Sequence, residues 1–267
     1  MAAESSSDEL TRAEIVAGLK ALGVETGDVV MVHSSAAAFG KVAGGGNGVI
    51  DAILEAVGPE GTTVIPTFTG VAIEKIDRPV LKMVPYTGLI PAMCRKRPEF
   101  VKSTHPLYSV AAAGPMAEEI AELCDRYIFA SAKGKFLWLM AERGGRVLLL
   151  GCTHKANSTI HLIEEFAGSD YKTQDKDYWD LTVEAFLALP REKQAELLDI
   201  HMGCCMDYLA VPHFDAIDAP LRRAGAIRTA TIGKALCHQM KMADLLRIGA
   251  EEIAKDPWFL VDRVAKA

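Results

Sequence analysis

Apolar positions alternate between two periods over the first two thirds of the chain. Ile15, Leu19 and Leu22 recur at helical spacing, behind a capping box of Thr11 and Glu14 and ahead of Gly23, which predicts a helix. Residues 29–32 and 62–65 read as short buried strands. Between them residues 44–48 read as a glycine loop, and residues 49–57 as an amphipathic helix stopped by Gly58. Residues 88–96 and 116–124 have helical spacing, 108–112 read as extended, and 146–150 form the clearest buried strand. A further helix is expected over 158–167, with Ser158 as its N-cap.

This alternation predicts an α/β fold, a three-layer α/β/α sandwich around a largely parallel or mixed central sheet. After Phe166 the pattern loosens. Residues 170–180 are polar and acidic, 185–202 suit one or two helices, 227–232 a late strand, and 240–255 a helix before Asp256-Pro257. With no repeat or linker in view, residues 1–267 are expected to form one domain with an elaborated C-terminal third.

Half of the 267 residues are hydrophobic and 24% are charged, the balance of a globular chain with a core. No apolar run approaches the ~20 residues of a membrane helix, so no membrane partner is expected. The polar, acidic start has the character of neither a signal nor a transit peptide. Six cysteines, Cys204 and Cys205 adjacent, lack disulfide spacing, which points to a reducing cytoplasm. A net charge of −6 disfavours nucleic acid and suits a cationic ligand.

The chemistry-bearing segment is residues 150–165, where a buried strand turns at Gly151, crosses a polar loop and enters a helix. Ligands of open parallel sheets bind beyond such strand ends. His161 in the first turn and Glu164 three residues on share a helix face, so the carboxylate can orient the imidazole as a general base. The same spacing also describes a capping or surface pair. His33, Ser34 and Ser35 end another strand and can orient a thioester or donate to an oxyanion, or simply satisfy loop backbone. Arg78, Lys82, Arg95, Lys96, Arg97 and Lys102 offer phosphate contacts or a solvated face. Cys152 reads as a buried thiol rather than a nucleophile, and His201, Cys204, Cys205 and His213 match no zinc pattern, so no metal is expected.

In order along the chain, residues 27–35, 57–67, 88–95, 102–109, 113–114, 147–151, His154, Asn157 and 160–164 resemble the aminoglycoside 3-N-acetyltransferase family. The resemblance implies an N-acetyltransferase of non-GNAT fold that uses acetyl-CoA as cosubstrate. His161 and Glu164 fall on the catalytic pair, and His33, Ser34, Ser35, Ser103, His105 and Ser109 on the acetyl-CoA site. It implies direct transfer to an amine of an aminoglycoside by a monomer or homodimer. Ala36, Ala37 and Ala38 replace usual hydroxyls, Lys102 a usual Arg and Ala92 a common Glu. These departures leave open another small amine as acceptor, or a coenzyme-A-binding protein without turnover.

Overall fold

The computed structural model describes residues 9–69, 80–129, 133–169, 171, 180–201 and 208–265. Helix α1 (Arg12–Leu22) carries the expected capping box, with Thr11 Oγ1 accepting from Glu14 N and Glu14 accepting from Thr11 N. It is followed by β1 (Val29–Ser34), α2 (Gly45–Val57), β2 (Thr62–Pro66), α3 (Leu89–Cys94), β3 (Val101–Lys102) and β4 (Val110–Ala113). Next come α4 (Ala117–Arg126), α5 (Phe136–Glu142), β5 (Arg146–Leu150) and α6 (Ile160–Phe166). The last third holds α7 (Val183–Leu187), α8 (Arg191–His201), β6 (Tyr208–Pro212), α9 (Asp218–Arg223), β7 (Ile227–Ile232), β8 (Ala235–Lys241), α10 (Met242–Lys255) and β9 (Val261–Ala265).

Among the described residues, seven strands form one mixed sheet in the order β3-β4-β2-β1-β5-β8-β7, and β6 pairs separately with β9. Only the centre is parallel. β1 runs with β2 on one side and β5 on the other, Ser34 lying opposite Leu150, while the β4 and β8 pairings are antiparallel. The three parallel strands therefore end on the same edge.

Alternation along β1 divides the core. Val30 and Val32 join Leu148, Leu150, Leu19, Ile50, Ile53 and Ile90, so α1, α2 and α3 cover one face. Val29 and Met31 join Val147, Leu149, Ile120, Phe136, Ile163 and Leu245, so α4, α5, α6 and α10 cover the other. Burying each large side chain contributes on the order of 1.5–3 kcal/mol, which is what holds three layers together.

Two expectations need correction. Residues 44–48 are not an open loop, because α2 already begins at Gly45. Gly48 sits in its first turns because a Cβ there would stand 2.1 Å from the Ala43 carbonyl oxygen. Residues 235–241 form β8 rather than leading into a helix at 240, and α10 starts at Met242. Helices cover both faces of β8, so His238 and Gln239 are buried beside Cys237 and Met240, and no two-residue alternation marks the strand.

Candidate active site

A cleft of about 400 Å³ opens at the carboxyl ends of the parallel strands. Val32, His33 and Ser34 of β1 form its floor, Pro66 ends β2 and Phe68 follows it. Lys155 to Ser158 follow β5, and Tyr86, Tyr108 and Phe214 complete an aromatic rim.

The loop after β5 delivers His161. Thr153 Oγ1 accepts from Lys155 N, and Asn157 Nδ2 donates to His154 Nδ1 at 3.2 Å while Asn157 Oδ1 accepts from Thr159 N at 3.1 Å. The chain then tightens through Ile160 N to Asn157 O and His161 N to Ser158 O, both 3.2 Å. Ser158 is consequently not the N-cap that its position suggests. The cap residue is Thr159, without a side-chain bond, and Asn157 takes the side-chain role one turn earlier.

His161 and Glu164 are brought together as expected. His161 Nδ1 stands 2.6 Å from Glu164 Oε2, and Tyr171 donates its hydroxyl to Glu164 Oε1 at 2.8 Å. The imidazole side chain is 29% exposed and the carboxylate side chain 2%, so the ring reaches the cleft while its partner is sealed behind it. Phe214 packs edge-on against the imidazole, with ring centroids 5.3 Å apart. A second cavity of about 30 Å³ lies behind the ring, bounded by Glu164, Tyr171 and His201.

The other residues expected at the site divide into two groups. His33 and Ser34 line the cleft, and His33 Nε2, Ser34 Oγ and Ser158 Oγ are buried there without a partner among the described residues. Burial, followed by the nearby His154, pushes the His33 imidazole down to about 3, so it stays neutral. His154 is likewise pushed down to about 4 by burial.

Ser35, Ser103, His105 and Ser109 stand off the cleft wall. Ser35 N donates to Leu150 O across the strand ends. Ser103 Oγ accepts from Val110 N at 3.1 Å and lies 3.4 Å from Cys124 Sγ. His105 Nδ1 accepts from Leu107 N and Tyr108 N, which puts the ring proton on Nε2, donating to Tyr127 O at 2.9 Å. Burial holds that ring down at about 4. Ser109 Oγ donates to Thr67 O at 2.8 Å and accepts from Arg95. Ser103, His105 and Ser109 shape the turn that sets Tyr108 on the rim, and their side chains are hydrogen-bonded inside the protein.

Three residues of the basic cluster are committed too. Arg97 pairs with Asp51 and Glu99, Lys102 donates to Arg97 O, and Arg95 donates to Val80 O and Met83 O. Arg78 lies outside the described residues. Burial pushes the Cys152 thiol up to about 12, which leaves it un-ionised at neutral pH and a poor nucleophile. His201 stacks on Phe129 at 4.4 Å, and His213 is exposed. Cys204 and Cys205 lie outside the described residues, as do Asp170, Asp175 and Asp177. Asp180 pairs with Lys135 at 2.9 Å.

The sequence reading missed Tyr171, Phe68, Tyr86 and Lys155. Tyr171 was hidden in a stretch read only for its acidic charge; an aromatic residue seven positions past Glu164 was the available signal.

The sequence model described as aminoglycoside 3-N-acetyltransferase matches residues 31–254, nearly the whole of this framework. The chain belongs to that family. Aminoglycoside N(3)-acetyltransferase VIII of Streptomyces fradiae is 30% identical over 272 residues, covering 94% of each chain. The crystal structure of aminoglycoside acetyltransferase AAC(3)-IVa superposes with a TM-score of 0.72 at 26% identity, covering 94% of this chain and 91% of its own. AAC-IIIb, solved as a binary complex with CoASH, shares the fold at a TM-score of 0.67 and 21% identity, over 92% and 96% of the two chains. This member of the aminoglycoside 3-N-acetyltransferase family is accordingly an N-acetyltransferase. Among its described residues no helix is long and apolar enough to cross a membrane.

Proposed function

We propose that the protein transfers the acetyl group of acetyl-CoA directly to an amine of an aminoglycoside, with His161 as general base. The carrying observation is the 2.6 Å contact between His161 Nδ1 and Glu164 Oε2 at the wall of the cleft. With Nδ1–H donated to the carboxylate, Nε2 is the ring nitrogen left to accept a proton. A neutral imidazole takes the proton from the attacking amine nitrogen as the nitrogen bonds to the thioester carbon. The C–S bond then breaks, and the proton passes to the departing thiolate to give coenzyme A and the amide.

Negative charge develops on the thioester oxygen during attack. Ser34 Oγ and Ser158 Oγ are buried hydroxyls on the cleft with donors to spare, and they suit that oxygen. Lys155 on the same wall suits a coenzyme phosphate. The aminoglycoside acceptor follows from the names of the relatives and from the chain's net charge of −6, which favours a cationic amine. No step requires a metal or an acyl-enzyme.

Thiol release from acetyl-CoA in the presence of an aminoglycoside panel tests the reading. Turnover is expected with at least one aminoglycoside and is expected to be lost in His161→Ala. Full turnover by His161→Ala would overturn the assignment of the base, and turnover with simple amines alone would overturn the acceptor.

A further inference from the structure

We propose that Tyr171 is a positioning residue for acetyl transfer: through its hydroxyl it holds Glu164 by Oε1, so that Oε2 is presented to His161. This rests on the reading of His161 as the base. Glu164 is 1% exposed, and a carboxylate withdrawn from water needs donors to remain charged. It receives one on each oxygen, His161 at 2.6 Å and Tyr171 at 2.8 Å, which fixes the rotation of the carboxylate plane. The clamp itself is anchored. Tyr171 is 1% exposed, and its ring lies 5.5 Å from that of Trp258, over which Arg263 packs at 4.6 Å.

The phenol remains a donor throughout the working range, because burial and the neighbouring Glu164 charge push its ionisation upward. Donation to Oε1 stabilises the carboxylate most when the imidazole is neutral and its charge is least compensated. It therefore lowers the proton affinity of the His161–Glu164 pair and favours the unprotonated base. The other titratable groups around the pair are Glu165 on α6, His201 on α8, Tyr108 on the rim and Lys155 before α6. The clamp is Tyr171, whose hydroxyl donates directly to Glu164 Oε1.

The test measures kcat, the KM for acetyl-CoA and the pH profile of kcat/KM for Tyr171→Phe and for the full-length chain with 2,3-difluorotyrosine at 171. Phe keeps the ring and removes the donor. The acid limb is expected to rise by ~0.5–1 pH unit and kcat to fall roughly tenfold, with KM for acetyl-CoA unchanged. The fluorinated ring is close to isosteric and a stronger donor, so its acid limb should move down. That opposite shift is something a purely packing role would not produce, and it stands even if Tyr171→Phe folds poorly. Wild-type limbs and kcat in both proteins would overturn the inference. An inactive His161→Ala beside such a flat Tyr171 series would overturn this inference alone; an active His161→Ala would overturn the reading beneath it.

Discussion

Arg95 donates through Nη2 to Ser109 Oγ at 3.3 Å, and this contact ties α3 to the turn that carries Tyr108. The same guanidinium donates to Val80 O and Met83 O, each at 2.8 Å, and so holds the segment leading to Tyr86. A residue that resembles a phosphate ligand in the sequence is instead a brace for one wall of the cleft.

Replacing Arg95 by Met removes three hydrogen bonds and leaves two carbonyls to find water. A loss of ~2–3 kcal/mol is expected from urea unfolding, with Lys restoring only part because it lacks the planar fork. A raised KM with little change in kcat should accompany it, since the brace shapes the wall and touches no reacting atom.

Ser34 and Ser158 should behave oppositely to Ser103. Ser34→Ala and Ser158→Ala remove hydroxyls that have no partner among the described residues, so stability should hold while kcat falls with acetyl-CoA as donor. A single lost oxyanion donor is worth up to ~10²–10³ in kcat. Ser103→Ala strands the Val110 N–H, so a loss of ~1–2 kcal/mol in unfolding with unchanged kcat is expected.

Glu164→Gln should lower kcat by roughly 10²-fold or more, because the amide cannot accept from both His161 and Tyr171 on equivalent charged oxygens. The KM for acetyl-CoA is expected to stay near that of the wild type. Initial-rate kinetics at saturating acceptor decide it.

Acid should destabilise the fold through its buried imidazoles. His33, His105 and His154 are held down at about 3, 4 and 4, below the ~6.5 of an unfolded imidazole. As pH falls below ~6.5 the unfolded chain binds protons that the folded chain refuses, so stability is full above that value and declines toward pH 4. Urea midpoints at pH 7.5 and pH 5 should show the drop, and His33→Gln should flatten part of it.

Gly151 turns the chain from β5 into the loop that precedes His161 at φ +71°, and a Cβ there would stand 2.4 Å from Ala38 Cβ. Gly151→Ala is expected to cost ~1–3 kcal/mol and to displace the Ser34–Ser35 strand end, read as a lower Tm together with reduced kcat. The same crowding gives Ala38 a structural reason to be small.

Local patterns determined a great deal here. The Thr11–Glu14 box, the period of α1 and the apolar runs of β1 and β5 are interactions over a few residues, so their spacing is legible in the chain. His161 and Glu164 were legible for the same reason, being three residues apart on one helix. What the tertiary structure decided are the contacts between distant segments. Ser103, His105 and Ser109 carry hydroxyls and a ring nitrogen that suit a ligand equally well, and only packing shows those groups consumed by Val110, Tyr108, Thr67 and Arg95. β8 was hidden because burial on both faces erases alternation. Tyr171 was hidden because a hydrogen bond to a buried carboxylate depends on where the chain returns, and no period in the sequence records that.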